Sequence, residues 1–202
     1  MVVYFQLCYF QFIDFCGKIS LVKKNNMWRC AKVDLKKYIR DVLDFPQKGV
    51  IFRDITPLVK NPEAFKFAID MIAEELKEFD FDLIVCPEAR GFIIGAPLAY
   101  NLNKGFVPVR KPGKLPYKTV SDYYELEYGR AELHIHEDAI DPGQRVLIVD
   151  DVLATGGTAI AIKKLVERVK GIVVASAFLV ELTYLNPRNT FKDVPIIAPI
   201  KY

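Results

Sequence analysis

The chain reads as an α/β protein built on a mainly parallel, twisted sheet flanked by helices, and three features predict it. Strand-like and helix-like patterns alternate from residue 83 to residue 182, the order that produces parallel strands joined by right-handed crossovers. Residues 145–158, RVLIVDDVLATGGT, run from four apolar β-formers into two carboxylates and a glycine turn before a helical pattern, which is a buried strand leading into a ligand site. Acidic residues at the carboxyl end of such a strand sit where α/β proteins bind ligands, in the crevice beyond the strand ends. The turn suits phosphate, because glycines let backbone N–H groups converge and a helix N-terminus adds positive potential. Carboxylates for hydroxyls or metal, together with backbone for phosphate, point to a sugar phosphate.

Composition bounds the rest. With 202 residues, 51% of them hydrophobic, the chain is long enough for one domain with a substantial core. A net charge of +3, dispersed along the sequence, is too small for a nucleic-acid binder, which concentrates basic residues on one face. Cys8, Cys16, Cys30 and Cys86 show no CxxC pair, so they read as free thiols in a reducing cytoplasm. Residues 1–31 read as an extension separate from a single domain over residues 32–202. Its aromatic start lacks the basic beginning and small-residue cleavage site of a secretory signal, and Gln6, Gln11 and Asp14 interrupt a run too short to cross a bilayer. An edge strand with a linker and an extension foreign to the native protein are both open; we expect translation to begin at Met27, which intact mass from the native source tests.

From Asp34 onward the elements follow in order. Asp34 is placed to cap a short helix with Leu35, Tyr38, Ile39 and Val42 on one face, ending before Pro46. The segment FPQKGVIFRDITPL then mixes turn residues with an apolar patch at Val50, Ile51 and Phe52. A buried Arg53 needs a partner, so Asp54 is either its local salt-bridge mate or the two form a functional pair. Asn61-Pro62 opens the clearest helix, with a cap residue before proline at the first helical position and an inward stripe of Phe65, Ala68, Ile69, Ile72, Leu76 and Phe79. A strand over residues 83–86 leads into PEARGF, where Arg90 is set to meet either an anion or a helix-capping carboxylate. A further strand over residues 106–109 precedes Arg110, Lys111 and Lys114 on a turn at the same sheet edge, which favours polyphosphate over a merely solvated turn. Residues 119–136 alternate around Tyr128-Gly129, as in a hairpin standing apart from the core and serving as a lid. His134 and His136 within it are expected to pack at the surface, since HxH alone is a weak metal signal. A helix carrying Ile160, Ile162, Leu165, Val166 and Val169, and a buried strand over residues 172–182, complete the pattern.

VLIVDDVLATGGT resembles the ribose-phosphate signature of the type I phosphoribosyltransferases. FPQKGVIFRDITPL, PEARGF, FVPVRKPGKLP and YELEYGRAEL, in that order and spacing, resemble the adenine branch of that family from about residue 34 to about residue 185. The resemblance implies the type I phosphoribosyltransferase fold with a hairpin lid and a small N-terminal hood segment. It implies transfer of a phosphoribosyl group from phosphoribosyl pyrophosphate to adenine, giving AMP and pyrophosphate, with Mg2+ held mainly through substrate and water. Asp150 and Asp151 would then meet the ribose hydroxyls, and Ala154, Thr155, Gly156, Gly157 and Thr158 the 5-phosphate. Arg90, Arg110, Lys111 and Lys114 would bind pyrophosphate, while Val50, Ile51, Phe52, Arg53 and Leu182 would form the adenine pocket. Glu127 in LEYG would handle the purine ring proton, with Arg90 as the other catalytic group. The family also implies a cis peptide at Glu88-Ala89, a cytoplasmic homodimer, and no nucleic-acid or membrane partner. Two other readings stay open: a phosphoribosyltransferase for another base, and a non-catalytic regulator that binds the same donor. The regulator would need a DNA-binding module, for which residues 1–31 have neither charge nor helical pattern.

Overall fold

A computed structural model of the protein describes the backbone of residues 10–13, 19–22, 34–126 and 129–202, and the side chains of residues 34–123 and 131–202. The chain divides into two compact units, Met1–Val33 and Asp34–Tyr202. In the first, β1 (Phe10–Ile13) and β2 (Ile19–Val22) pair antiparallel, Phe10 opposite Val22.

The second unit begins differently from the helix predicted at Asp34. The Asp34 carboxylate does accept from the Lys36 amide, at 3.3 Å, but the helix is a single 3-10 turn, Leu35–Tyr38. Ile39 is already extended (φ −105°, ψ 124°), and residues Arg40–Leu43 form β3, antiparallel to β4 (Ile51–Asp54). The β-branched Ile39 and Val42 favour extended backbone, and β4 supplies the cross-strand partners. This hairpin occupies the place expected for the hood. After α1 (Thr56–Lys60), α2 (Pro62–Glu75) starts where predicted, with the Asn61 side chain accepting from the Ala64 amide at 2.9 Å. Its inward stripe is completed by Ala64 and Ala73, whereas Phe65 and Phe79 are only half-buried.

The core sheet comprises β5 (Leu83–Pro87), β6 (Gly105–Val109), β9 (Arg145–Leu153), β10 (Ile172–Glu181), β11 (Ile196–Ile197) and β12 (Ile200–Lys201). The order is β11-β10-β9-β5-β6, with β12 also on β10, and every pairing is parallel. Helices α3 (Arg90–Leu102) and α4 (Gly157–Arg168) follow β5 and β9 directly, and the short α5 (Pro187–Thr190) follows β10. Val146, Leu147, Ile148 and Val149 are wholly buried, as a strand covered on both faces requires. Parallel pairing sends the carboxyl ends of β5, β6, β9 and β10 to one edge, so the loops that follow them share it.

Strands β7 (Thr119–Leu126) and β8 (Gly129–His136) form the predicted hairpin, yet its base does not stand apart. Leu133 and Ile135 point into the core, and Arg110 and His134 exchange two backbone hydrogen bonds, at 2.9 and 2.7 Å, that tie β8 to the end of β6. Alternation places His134 and His136 on the opposite face. There His134 Nδ1 lies 2.9 Å from the Thr119 hydroxyl, and the His136 ring meets Tyr117 edge to face.

Candidate active site

The strand-end loops assemble a concave edge. The loop over residues 153–158, with Asp150 and Phe178, lines a small cavity open to solvent. Gly156 adopts φ +90°, a left-handed conformation that a side chain would strain, and α4 starts at the next residue with no side chain capping it. The first N–H groups of a helix have no intrahelical partner, and here they belong to Gly157 and Thr158, which line the cavity. Ala154, Thr155, Gly157 and Thr158 line the same cavity, with Thr155 exposed.

Asp150 and Asp151 lie in the carboxyl-terminal part of β9, which continues to Leu153 because β10 is long enough to keep pairing with it that far. On the other side, pairing with β5 stops at Ile148, and this unzipped flank opens toward α3. Asp151 is 2% exposed and Asp150 half-buried; the Asp151 amide donates to Asp150 Oδ1 at 2.8 Å. A methyl group added at Gly91 would sit 3.0 Å from Asp150 Oδ1 and 2.9 Å from Pro87, so α3 approaches the acid only because residue 91 has no side chain. Burial, then the neighbouring Asp151 charge, pushes the Asp150 carboxyl well above the usual carboxylate range. Burial also raises Asp151, with Arg90 and Asp150 opposing it. Arg90 Nε stands 2.7 Å from Asp151 Oδ2 without the alignment of a hydrogen bond. Its guanidinium also lies 4.9 Å from the centre of the Phe52 ring. Asp151 is a strand residue, not a helix-capping carboxylate, and the Arg90 side chain beside it is 44% exposed.

The loop after β5 carries the cis peptide expected at Glu88-Ala89. Glu88, to which the sequence attached no role, organises the basic turn: its carboxylate accepts from Arg110 Nε at 2.7 Å and from the Lys111 amide at 3.0 Å. These donors outweigh burial and hold the Glu88 carboxyl below its ordinary value. Arg110 also donates to the Lys114 carbonyl at 3.1 Å, while Lys111 and Lys114 are exposed.

Arg53 does not pair with Asp54. Successive residues of a strand face opposite ways, and the hairpin register sets Asp41 opposite Arg53 and Arg40 opposite Asp54. Accordingly Arg53 makes its ion pair with Asp41. Asp54 takes Arg40 Nη2 at 2.5 Å and the Thr56 amide at 2.9 Å, which together outweigh burial and lower its pKa. The Arg53 guanidinium also lies over the Tyr202 ring at 3.9 Å, a contact across 149 positions of sequence that no local pattern signals. Phe52 meets Phe45 edge to face at 5.2 Å, Ile51 is exposed and Val50 half-buried. Leu182 is buried and donates its amide to the Leu153 carbonyl at 2.9 Å, which joins the β10 turn to the end of β9. Glu127 lies outside the described residues. Among the described residues no cluster of three or more His, Cys, Asp or Glu side chains is placed to hold a metal ion.

Residues 55–196 match the family model for the phosphoribosyl transferase domain. The adenine phosphoribosyltransferase of Fervidobacterium nodosum is 79% identical over 170 residues, covering 84% of this chain and all of the relative. That of Thermotoga maritima is 64% identical over 171 residues, covering 85% of this chain and 99% of the relative. Among solved structures, adenine phosphoribosyltransferase from Thermoanaerobacter pseudethanolicus superposes with a TM-score of 0.82 at 56% identity, covering 83% of this chain and 98% of that one. The Saccharomyces cerevisiae enzyme, complexed with an imino-altritol bisphosphate and adenine, superposes with a TM-score of 0.76 at 39% identity, covering 81% of this chain and 95% of that one. A parallel sheet with a glycine turn and an acidic pair at its open edge, matched over most of the chain by these relatives, means that the chain belongs to the phosphoribosyltransferase family, within its adenine phosphoribosyltransferase branch.

Proposed function

We propose that the protein transfers the phosphoribosyl group of phosphoribosyl pyrophosphate to adenine, releasing pyrophosphate and AMP in purine salvage. One observation carries the assignment of roles. Arg90 touches both Asp151 and the Phe52 ring, so the acidic pair, the loop after β5 and the apolar hairpin patch meet at a single guanidinium.

In this reading the turn over Ala154–Thr158 holds the 5-phosphate through backbone N–H groups, and Asp150 and Asp151 accept from the ribose hydroxyls. As the glycosidic bond to pyrophosphate breaks, positive charge develops on the sugar, and the buried carboxylates balance it. Arg90, Arg110, Lys111 and Lys114 take the charge of the leaving pyrophosphate. Arg110 is freed for that task when it leaves Glu88. Adenine lies between the Val50, Ile51, Phe52 and Arg53 segment and Leu182. Glu127 removes the ring proton as the ring nitrogen bonds to the anomeric carbon, and the hairpin that carries it excludes water from the activated sugar. Mg2+ is expected to enter with the donor, held mainly by substrate and water; Asp150 and Asp151 are the hard oxygen groups that suit it, and it supplies charge neutralisation.

We also infer a homodimer, supported by Ile93 and Tyr100, which expose apolar surface on α3, and a cytoplasmic location, supported by the free thiol of Cys86. Among the described residues no helix is long and apolar enough to cross a membrane. The deciding experiment is the purified protein with Mg2+, phosphoribosyl pyrophosphate and each nucleobase in turn. AMP from adenine alone is the expected result; turnover of another base, or donor binding without turnover, would overturn the assignment.

A further inference from the structure

Arg53 is half-buried, and its Nε atom has no hydrogen-bond partner among the described residues. Two groups hold its guanidinium: the Asp41 carboxylate on the neighbouring strand and the face of Tyr202, 3.9 Å away. Lys36 Nζ also lies over that ring, at 4.8 Å. The main chain of Tyr202 is held just as firmly. Strand β12 pairs with β10 at Val180 and Glu181, and the Tyr202 amide then donates to the Glu181 carbonyl at 3.0 Å. The Tyr202 carbonyl accepts from the Thr183 amide at 2.9 Å and from the Thr183 hydroxyl at 2.5 Å. Residue 202 therefore brackets Leu182 from both sides through its backbone while its ring carries Arg53.

We propose that Tyr202 is a positioning residue for base recognition, its ring seating Arg53 and its backbone fixing the turn that presents Leu182. The inference rests on the reading of Val50–Arg53 and Leu182 as the adenine pocket. A cation is attracted to the negative face of an aromatic ring, and the attraction strengthens where water is excluded. A guanidinium on a rigid ring loses fewer orientations when a base docks beside it. Tyr202 thus acts on adenine binding and leaves donor binding, at the α4 edge, untouched.

The test compares Tyr202→Phe, Tyr202→Leu, Arg53→Met and the Tyr202→Leu/Arg53→Met double variant. It measures kcat, KM for adenine, KM for phosphoribosyl pyrophosphate and thermal melting. We expect Tyr202→Leu to raise the adenine KM by roughly 3- to 10-fold with the donor KM unchanged, and Tyr202→Phe, which keeps the ring, to match the parent. The double variant should be no worse than Arg53→Met alone, since both changes remove one interaction. Equal rises in both KM values, or a Tyr202→Phe defect as large as that of Tyr202→Leu, would overturn the proposal. A normal adenine KM in Tyr202→Leu with a raised one in Arg53→Met would overturn it while leaving the pocket reading intact; a normal value in Arg53→Met overturns both. If Tyr202→Leu does not fold, Tyr202→Met is held to the same criteria.

Discussion

Replacing Asp150 with asparagine should make the ligand-free protein more stable and a poorer enzyme. In the absence of substrate, two carboxylates share one guanidinium, Arg90, and burial raises the pKa of both acids. A group whose folded pKa lies above its unfolded value favours the fold below the unfolded pKa, and that contribution is lost as pH rises through the folded pKa. At neutral pH the pair therefore works against folding. The amide oxygen of the substituted side chain would still accept the Asp151 N–H that now donates to Asp150 Oδ1 at 2.8 Å, so Asp150→Asn removes charge and keeps the hydrogen bond. A like-charge pair at close range costs a few kcal/mol at an effective dielectric near 20, and Arg90 offsets part of it, leaving a gain of about 1–2 kcal/mol. For a domain of this size that raises Tm by about 3–6 °C. The gain should be absent at about pH 2.5, below the ordinary aspartate value of 3.8, where the acids are protonated in both states, and grow as pH rises above it toward neutrality. Meanwhile kcat/KM for phosphoribosyl pyrophosphate should fall by at least about 10-fold, as for a lost charged hydrogen bond. The assay is thermal melting across that pH range together with steady-state kinetics. A Tm that drops at pH 7.5, or a gain that does not depend on pH, would refute the electrostatic account; unchanged kinetics would refute the ribose role.

Other expectations concern separate elements. Glu127→Gln or Glu127→Ala should lower turnover by about 100-fold, the range for loss of a general base; near-normal rates in either would remove Glu127 from the mechanism. Arg188→Met strands Glu181, 2% exposed and held by Arg188 through two hydrogen bonds at 2.7 and 2.8 Å. The loss should be about 3–5 kcal/mol in urea unfolding, and a loss below about 1 kcal/mol would mean that the carboxylate finds water. Asn61→Ala removes the α2 cap and should cost about 1 kcal/mol, seen as a Tm lower by about 2–4 °C with unaltered KM values.

Local periodicity was enough for much of the scaffold. The strand that carries Asp150-Asp151, the helix opened by Asn61-Pro62 and the alternation of strands and helices are each written within a few neighbouring residues, because hydrophobic spacing and capping are short-range. The glycine turn into α4 was legible for the same reason, since Gly156, Gly157 and the start of the helix are contiguous. The misreadings share one cause. Residues 39–42 look helical by spacing, but the partner strand Ile51–Asp54 makes them a strand. Arg53 has Asp54 beside it in the chain, yet alternation turns the two apart and register presents Asp41 instead. The hairpin base looks detached until Leu133 and Ile135 are seen to fill the core.

The amino-acid sequence thus determined the α/β class, the glycine turn before α4 and the identity of the polar groups, all of which depend on spacing along the chain. Tertiary structure decided which charges meet. Arg90 reaches Asp151 because pairing between β5 and β9 stops short of the acids, Arg110 is held by Glu88 across adjacent parallel strands, and Tyr202 lies under Arg53 because β12 returns to β10. Register, strand length and chain return are collective outcomes of packing the whole sheet, and no short stretch of residues encodes them.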